Sequence, residues 1–312
     1  MSMVAYNRIL MAVPYRYADE DTIAHAVTVA KEHGAQLTLF GVVEEIEKEY
    51  ENWLTTKLPQ DLEHEMYETQ LAALQQRAAD LKASYDKVDC AVAKGIPFVE
   101  IIKQVKAGGH DLLIMDAATR HPGRKRFMGS TTKHVLRKCP CPVLCIREQT
   151  KPGKVAAAVD VFADKPGAAE LNQKVLTYAH DLAQREGAQL HVVYAQQPIG
   201  EPMLSAWGIG SADMLDGMEA DLIASAETKL LKLTEDVCGS ADGIVLQTVL
   251  GNPRDALPQY VRDNQIELLT MGTVCRTGIK GFLIGNTAES ILNEVTCSVL
   301  ALKPDGFVST VE

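Results

Sequence analysis

The chain has 312 residues, about twice the length of an ordinary domain, so two domains are the first expectation. Hydrophobic residues make up 46% of the chain and charged residues 23%, which is typical of a globular protein and excludes fibrous and disordered classes. A formal net charge of −10 argues against DNA or RNA as the main partner, because non-specific nucleic-acid binding requires basic groups that neutralise phosphates.

In the first half of the chain, apolar runs typical of buried strands alternate with amphipathic helical patterns. The run NRILMAV opens the series, and QLTLFGVV follows the first helix. The predicted helices cover about 19–33, 60–85, 97–108 and 130–138, and the later strands cover 87–93, 111–115 and 142–146. Strands that alternate with helices predict a parallel sheet that is covered on both faces.

The second half repeats this order of elements. The segment Gly34–Leu37 (GAQL) recurs as Gly187–Leu190, and the segment that starts at Asp111 aligns without a gap at an offset of 156. The predicted strands of the second copy lie near 154–159, 189–195, 243–250, 266–271 and 298–302. We therefore predict two domains, 1–150 and 151–312, joined by a short Pro-Gly linker. Each is expected to be a doubly wound, flavodoxin-like α/β domain with a five-stranded parallel sheet.

Targeting signals and membrane spans are not expected. The segment MSMVAYNRILMAVPYRY has one short apolar run and no small-residue cleavage site, unlike a secretory signal. No apolar stretch approaches the roughly 20 residues that a bilayer requires. The seven cysteines are odd in number, and none has zinc-finger spacing. These observations predict a cytoplasmic protein with no membrane partner and no metal site.

Candidate ligand-binding residues follow the strands of the second domain. Ligands of open parallel sheets bind beyond the carboxyl ends of the strands, where the strand order reverses. Asp160, Gly251 and Gly272 lie at the ends of the first, third and fourth predicted strands. A glycine-bearing loop, TVCRTGIKGFLIGNT, then leads into a helix. Because glycines let the backbone approach a phosphate and helix N-termini attract anions, this pattern favours an anionic ligand.

The segment MGTVCRTGIKGFLIGNTAESIL resembles the nucleotide-binding loop of the universal stress protein family, whose pattern is G-x2-G-x9-G-[ST]. NRILMAVP and KVAAAVD resemble that family's first strand, and CPVLCI and CSVLAL resemble its last strand. The likeness covers almost the whole chain, twice, and is greatest to the tandem E-type members found in bacteria. It implies a non-catalytic stress-response protein that binds ATP or another adenine nucleotide, with Mg²⁺ where the ligand is a triphosphate.

The resemblance also implies how the domains pair. Members of the family form dimers through their last strands. In a tandem chain the same pairing would give an intramolecular pseudo-dimer, and two such chains would still be able to form a homodimer. The partners expected for this chain are therefore a small-molecule ligand and a second domain of its own kind.

The nucleotide site carries over to the second domain only in part. Asp160 matches the family aspartate, which is implied to face the ribose or adenine. Gly272 and Gly285 match the first and third glycines, but Cys275 replaces the second and would intrude where a phosphate should approach. Asn286 replaces the usual Ser/Thr. The predicted ligand-binding residues of this domain are Asp160, Gly251, Gly272, Thr273, Cys275, Gly285, Asn286 and Thr287.

The first domain departs further from the family pattern. Pro14 occupies the position of Asp160, and Asp116 replaces the first glycine, where its carboxylate would repel phosphates. We expect this domain to have lost the family's nucleotide site, leaving a structural role or another ligand. A basic run at 120–126 suggests a second anion site, although most such runs are solvated loops. The residues of that site would be Arg120, Arg124, Gly129 and Ser130.

Two local patterns have structural explanations as well. Asn286 and Glu289 have the spacing of a capping box, which a helix uses with or without a ligand. Cys139, Cys141 and Cys145 invite a metal hypothesis. Same-face positions of an extended strand are about 7 Å apart, however, which is too far for a compact set of thiolate ligands.

Two other functions are compatible with the sequence. The segment 197–213 is rich in Pro, Met and Trp side chains that would cover an apolar ligand. Neither domain would then bind ATP, and the crevice would hold another metabolite, such as an amphiphile. A very slow ATPase is the other alternative. The sequence contains no nucleophile–His–Asp set, paired carboxylates, P-loop or G-x-G-x-x-G, so an enzyme is not expected.

Overall fold

The structure is a computed structural model that describes residues 4–15, 20–45, 59–117, 128–147, 151–164, 166–197, 212–273 and 285–311. The chain divides into two compact units. The N-terminal unit contains Ala5–Gln149 with Val308–Glu312, and the C-terminal unit contains Met1–Val4 with Thr150–Phe307. None of the described helices is both long enough and apolar enough to cross a bilayer.

The N-terminal unit has a parallel sheet with the strand order β3-β2-β1-β4-β5. Its elements are β1 (Arg8–Val13), α1 (Glu20–His33), β2 (Gln36–Val43), α2 (Pro59–Lys82), β3 (Val88–Lys94), α3 (Pro97–Gly108), β4 (Leu112–Asp116), α4 (Ser130–Lys138) and β5 (Val143–Ile146). β1 and β4 are apolar along nearly their whole length, and all their residues except Arg8 and Asp116 are buried. Strands with both faces covered in this way are typical of parallel sheets.

The C-terminal unit has the same topology, with the strand order β8-β7-β6-β9-β10 and parallel pairing throughout. Its elements are β6 (Lys154–Ala158), α5 (Ala168–Glu186), β7 (Gln189–Gln196), α6 (Ala212–Cys238), β8 (Val245–Leu250), α7 (Pro253–Asp263), β9 (Leu268–Gly272), α8 (Asn286–Glu294) and β10 (Ser298–Leu302). The strand order reverses beside β6, where β7 lies on one side and β9 on the other. The predicted doubly wound fold with five parallel strands per unit is confirmed.

The positions of the cysteines near β5 contradict the separation that was expected from strand geometry. The sulfur atoms of Cys139 and Cys141 lie 3.5 Å apart, not about 7 Å, because both residues precede β5 and lie in the turn after α4. The hydrogen bond between the two thiols and their burial raise the pKa of Cys141. Among the described residues, no group of three or more His, Cys, Asp or Glu side chains could hold a metal ion.

His110 makes the stability of the N-terminal unit dependent on pH. The side chain is buried, with Nδ1 3.1 Å from the Gln104 carbonyl oxygen and Nε2 3.3 Å from the Thr38 hydroxyl. Burial lowers the pKa of His110, and it also lowers the pKa values of His180 and His191. Below about pH 6.5 these histidines therefore bind protons more readily in the unfolded chain than in the folded chain.

We expect the free energy of unfolding to be greatest above about pH 6.5 and to fall as the pH is lowered through the depressed pKa values. Each histidine contributes a slope of at most about 1.4 kcal/mol per pH unit. Urea denaturation at about pH 7.5 and about pH 5.5 measures the loss, which should be smaller in His110→Gln. The exposed His64 on α2 provides the control variant His64→Gln. Equal stability of the wild-type chain at both pH values would contradict this expectation.

Candidate functional site

A cavity of about 390 Å³ lies at the carboxyl ends of β6, β7 and β9 in the C-terminal unit. This is the position where the strand order reverses and where ligands of doubly wound sheets bind. Much of its wall is apolar and comes from α5, α7, α8 and β9. The larger apolar side chains in this wall are Leu171, Val175, Leu257, Met271, Ile291 and Pro304.

Asp160 places a carboxylate on the wall of this cavity. Its backbone is fixed by Asn172, whose Oδ1 accepts the Asp160 N–H at 3.0 Å and whose Nδ2 donates to the Asp160 carbonyl at 2.7 Å. The carboxylate accepts the Phe162 N–H at 3.3 Å. Because the side chain is exposed and a carboxylate has about four acceptor positions, Asp160 can still accept hydrogen bonds from a ligand.

Tyr194 also lines the cavity, although no sequence motif pointed to it. Its ring is buried in the wall of the cavity, and its hydroxyl donates to Gln196 Oε1 at 3.1 Å. Burial and the nearby Asp160 raise the pKa of Tyr194 to about 12, so the hydroxyl stays protonated. Tyr194 is the sixth residue of β7, and Gly41 is the sixth residue of β2. The repeat therefore marks this strand position as one where the two units differ.

The N-terminus of α8 opens at the same cavity. Gly285 is the N-cap, with φ −62° and ψ 137°, and as a glycine it has no side chain that could cap the helix. Asn286 is already the first helical residue, so the predicted capping box of Asn286 and Glu289 is wrong. Thr287 and Ala288 of the first turn line the cavity. A helix start with glycine at the N-cap presents backbone N–H groups and a partial positive charge to a ligand.

Gly272 lies at the end of β9 and lines the cavity, but its lack of a side chain has a packing reason. A Cβ atom at this position would lie 2.6 Å from Cδ2 and 3.0 Å from Cγ of Leu171. Carbon atoms in contact are normally about 3.5–4.0 Å apart. A side chain here would therefore clash with Leu171 in its present conformation, whether or not a ligand is bound.

Four of the predicted residues do not form part of the cavity wall, namely Gly251, Thr273, Gly285 and Asn286. Gly251 has φ 134°, a conformation that favours glycine, and its N–H donates to the Gln196 carbonyl at 2.9 Å. Thr273 is fully buried, and its hydroxyl contacts the Leu302 carbonyl and the Lys303 ammonium group. The Thr273 carbonyl accepts the N–H of Gly285 at 3.3 Å, which connects the end of β9 to the start of α8. Cys275 lies outside the described residues.

The N-terminal unit retains the corresponding helix start. Gly129 is the N-cap of α4, with φ −62° and ψ 158° and no side-chain capping bond, and Ser130 is the first helical residue. β4 ends at Asp116, so a carboxylate stands where β9 has Gly272. Arg120 and Arg124, predicted for a second anion site, lie outside the described residues.

Comparison with known sequences gives the same family over both units. Residues 5–147 and 155–303 each match the profile of the Universal stress protein family. The chain is 25% identical to universal stress protein E of Escherichia coli K12 over 314 aligned positions, covering 99% of this chain and 98% of that one. It is 26% identical to universal stress protein E of Salmonella typhi over the same shares of the two chains.

Solved structures share the fold along the full length. A functionally unknown protein from Pseudomonas aeruginosa PAO1 superimposes with a TM-score of 0.73 and 23% identity, covering 96% of this chain and 94% of that one. A universal stress protein from Archaeoglobus fulgidus superimposes with a TM-score of 0.61 and 20% identity, covering 95% and 96% of the two chains. These similarities extend the two-unit α/β architecture to other tandem chains.

Proposed function

The chain belongs to the universal stress protein family, which supports a role in the stress response, and we propose that its C-terminal unit is a cytoplasmic, non-catalytic module that binds an adenine nucleotide. The observation that carries the proposal is that one cavity is lined by apolar side chains, by the Asp160 carboxylate and by the first turn of α8, whose N-cap is Gly285. A nucleotide has an apolar base, ribose hydroxyls and phosphates, which match these three features in turn.

Each feature would contact one part of the ligand. Leu171, Leu257 and Ile291 offer apolar surface to an adenine ring. Asp160 would accept hydrogen bonds from the ribose hydroxyls, and the N–H groups of Thr287 and Ala288 would donate to a phosphate. Mg²⁺ would accompany a triphosphate, where it neutralises phosphate charge. The backbone at Gly272 completes the wall between these groups.

A non-catalytic role is favoured over ATP hydrolysis. Asp160 is the one acidic side chain among the described residues that line the cavity. Phosphoryl transfer to water needs metal-holding groups and a residue that orients the attacking water. A single carboxylate that contacts the ribose would supply neither. We therefore propose that the unit binds and releases its nucleotide unchanged.

Asp160→Ala is expected to weaken the binding of adenosine, ADP and ATP to a similar extent, because all three ligands carry the ribose. Loss of charge-assisted hydrogen bonds should lower the affinity about 10- to 100-fold, measured by isothermal titration calorimetry. The control is Asp164→Ala, which removes an exposed carboxylate four residues away that does not line the cavity. Equal affinities in Asp160→Ala and the wild-type chain, or no nucleotide binding by the wild-type chain at millimolar ligand, would disprove the proposed site.

The apolar wall also favours a second candidate, a non-nucleotide metabolite with an acyl or other amphiphilic body. Such a ligand would bury its apolar part against the same side chains and would not need the start of α8. Thermal-shift measurements with ATP, AMP, adenosine and acyl metabolites distinguish the two candidates. Stabilisation by acyl metabolites without stabilisation by any adenine compound would replace the nucleotide proposal with this one.

A further inference from the structure

A second cavity, of about 460 Å³, lies in the N-terminal unit between α1 and α2, beside the end of β1. It overlaps only in part with the position of the cavity in the C-terminal unit: Pro14, the counterpart of Asp160, lines it, but none of the described residues of α3, α4 or β4 does. One face of α2 forms most of the wall. The residues on that face recur every three or four positions: Leu62, Met66, Gln70, Leu74 and Arg77.

Gln70 is a polar residue of this cavity wall that can offer hydrogen bonds to a ligand. Only 5% of the residue is exposed, and its amide makes no hydrogen bond to the described residues. Its amide atoms are not among the fully enclosed atoms that lack a partner, so they are accessible from the cavity. A polar group in this position is hydrogen-bonded by whatever fills the cavity, because leaving it without a partner costs free energy. Gln70 lines the cavity, so a molecule bound there would be positioned to supply the missing hydrogen bonds.

Gly41 of β2 makes room for this amide. A Cβ atom at Gly41 would lie 2.7 Å from Gln70 Nε2 and 3.0 Å from Cγ, closer than non-bonded atoms normally approach. In the C-terminal unit the same strand position is occupied by Tyr194, a bulky residue. The N-terminal unit therefore has a glycine next to the Gln70 amide, and the C-terminal unit has a tyrosine at the equivalent strand position. This difference contributes to the different cavities of the two units.

Three charged side chains among the described residues line this cavity. Arg77 is paired with Glu20 in a bidentate contact, so its charge is already neutralised. Glu65 is an exposed carboxylate on the same wall. Ile23, with the apolar residues of α2, gives the rest of the wall a hydrocarbon surface.

We propose that this cavity binds a small neutral molecule that carries a carboxamide-type edge on an apolar body. An unpaired glutamine amide has a donor in Nε2 and an acceptor in Oε1, so only a ligand with both functions on neighbouring atoms satisfies it fully. A carboxylate offers acceptors alone and an ammonium group offers donors alone. Neutral carboxamides and lactams have both, and their apolar part fits Ile23, Leu62 and Leu74. This site is separate from the nucleotide site and does not depend on it.

Nicotinamide and nicotinate test the proposal as a matched pair of probes. They have the same ring and nearly the same size, but nicotinate is an anion without the donor. We expect nicotinamide to bind the full-length chain with a Kd on the order of 1 mM or tighter, by isothermal titration calorimetry, and nicotinate to bind at least about tenfold more weakly. Gln70→Leu should lower the affinity for nicotinamide about tenfold or more. Gln75→Leu, the same change at an exposed position of α2, should leave it unchanged.

Gly41→Ala provides a second variant that keeps the glutamine. The new Cβ atom should push the flexible end of Gln70 into the cavity and abolish nicotinamide binding while the chain stays folded, as judged by circular dichroism. Adenosine affinity should not change in Gln70→Leu or Gly41→Ala, which separates this site from the one in the C-terminal unit. The proposal is overturned if the wild-type chain fails to bind nicotinamide, if nicotinate binds as well, or if Gln70→Leu binds nicotinamide normally.

Discussion

Replacing Gly272 with alanine is expected to lower the free energy of unfolding of the C-terminal unit by about 1–3 kcal/mol, the usual cost of overpacking. The new Cβ atom would lie 2.6 Å from Leu171 Cδ2 and 3.0 Å from Cγ, so the leucine side chain must rotate or α5 must move away from β9. Leu171 lines the cavity that we propose for the nucleotide, and a displaced leucine would occupy the space of the ligand. Adenosine affinity should therefore fall together with stability.

A double-mutant cycle identifies the steric cause. Leu171→Ala alone removes packing and should destabilise the unit, but Gly272→Ala in the Leu171→Ala background should cost little, because the contacting atoms are gone. Urea denaturation followed by circular dichroism measures both effects. The control is Gly217→Ala on α6, where an added Cβ atom meets nothing within 4 Å and should stabilise the helix by up to about 1 kcal/mol. A Gly272→Ala variant as stable as the wild-type chain would show that the packing reason is wrong.

The fold was predictable because its signal is local and repeated. β1 and β4 are continuous apolar runs, and such runs bounded by helical patterns leave few alternatives to a parallel sheet. The boundaries also followed local patterns: α2 was expected at 60–85 and is found at Pro59–Lys82. The predicted separation of the cysteines near β5 was wrong because it assumed a regular strand. Cys139 and Cys141 precede the regular strand, so strand spacing does not apply to them.

The position of the cavity was predictable, but the packing contacts of the residues that line it were not. Asp160, Gly272 and Thr287 do line one cavity, as strand ends and a helix start in this topology should. The sequence could not show that Gly272 accommodates Leu171, because that contact joins residues about 100 positions apart in the chain. Gln70 above Gly41 is a contact of the same long-range kind, and neither residue has a motif of its own.

The start of α8 gives the prediction with the largest expected effect on binding. Thr287→Asp should stabilise the helix by about 0.3–1 kcal/mol, since a negative charge in the first turn interacts favourably with the helix dipole. The same charge lies on the cavity wall where we place the phosphates. Two like charges about 4–5 Å apart near a protein surface repel by roughly 3–4 kcal/mol, so ATP affinity should fall about 100-fold or more.

Two comparisons make this result specific. The asparagine of Thr287→Asn has nearly the same shape as the aspartate of Thr287→Asp but no charge. Thr287→Asn should therefore bind ATP about as well as the wild-type chain. Adenosine carries no phosphate, so Thr287→Asp should change its affinity less than about threefold. A variant that is more stable yet binds ATP far more weakly cannot be explained by misfolding, because misfolding lowers stability and binding together. If ATP and adenosine instead weaken equally, the phosphates do not lie at the start of α8, and the orientation that we propose for the nucleotide is wrong.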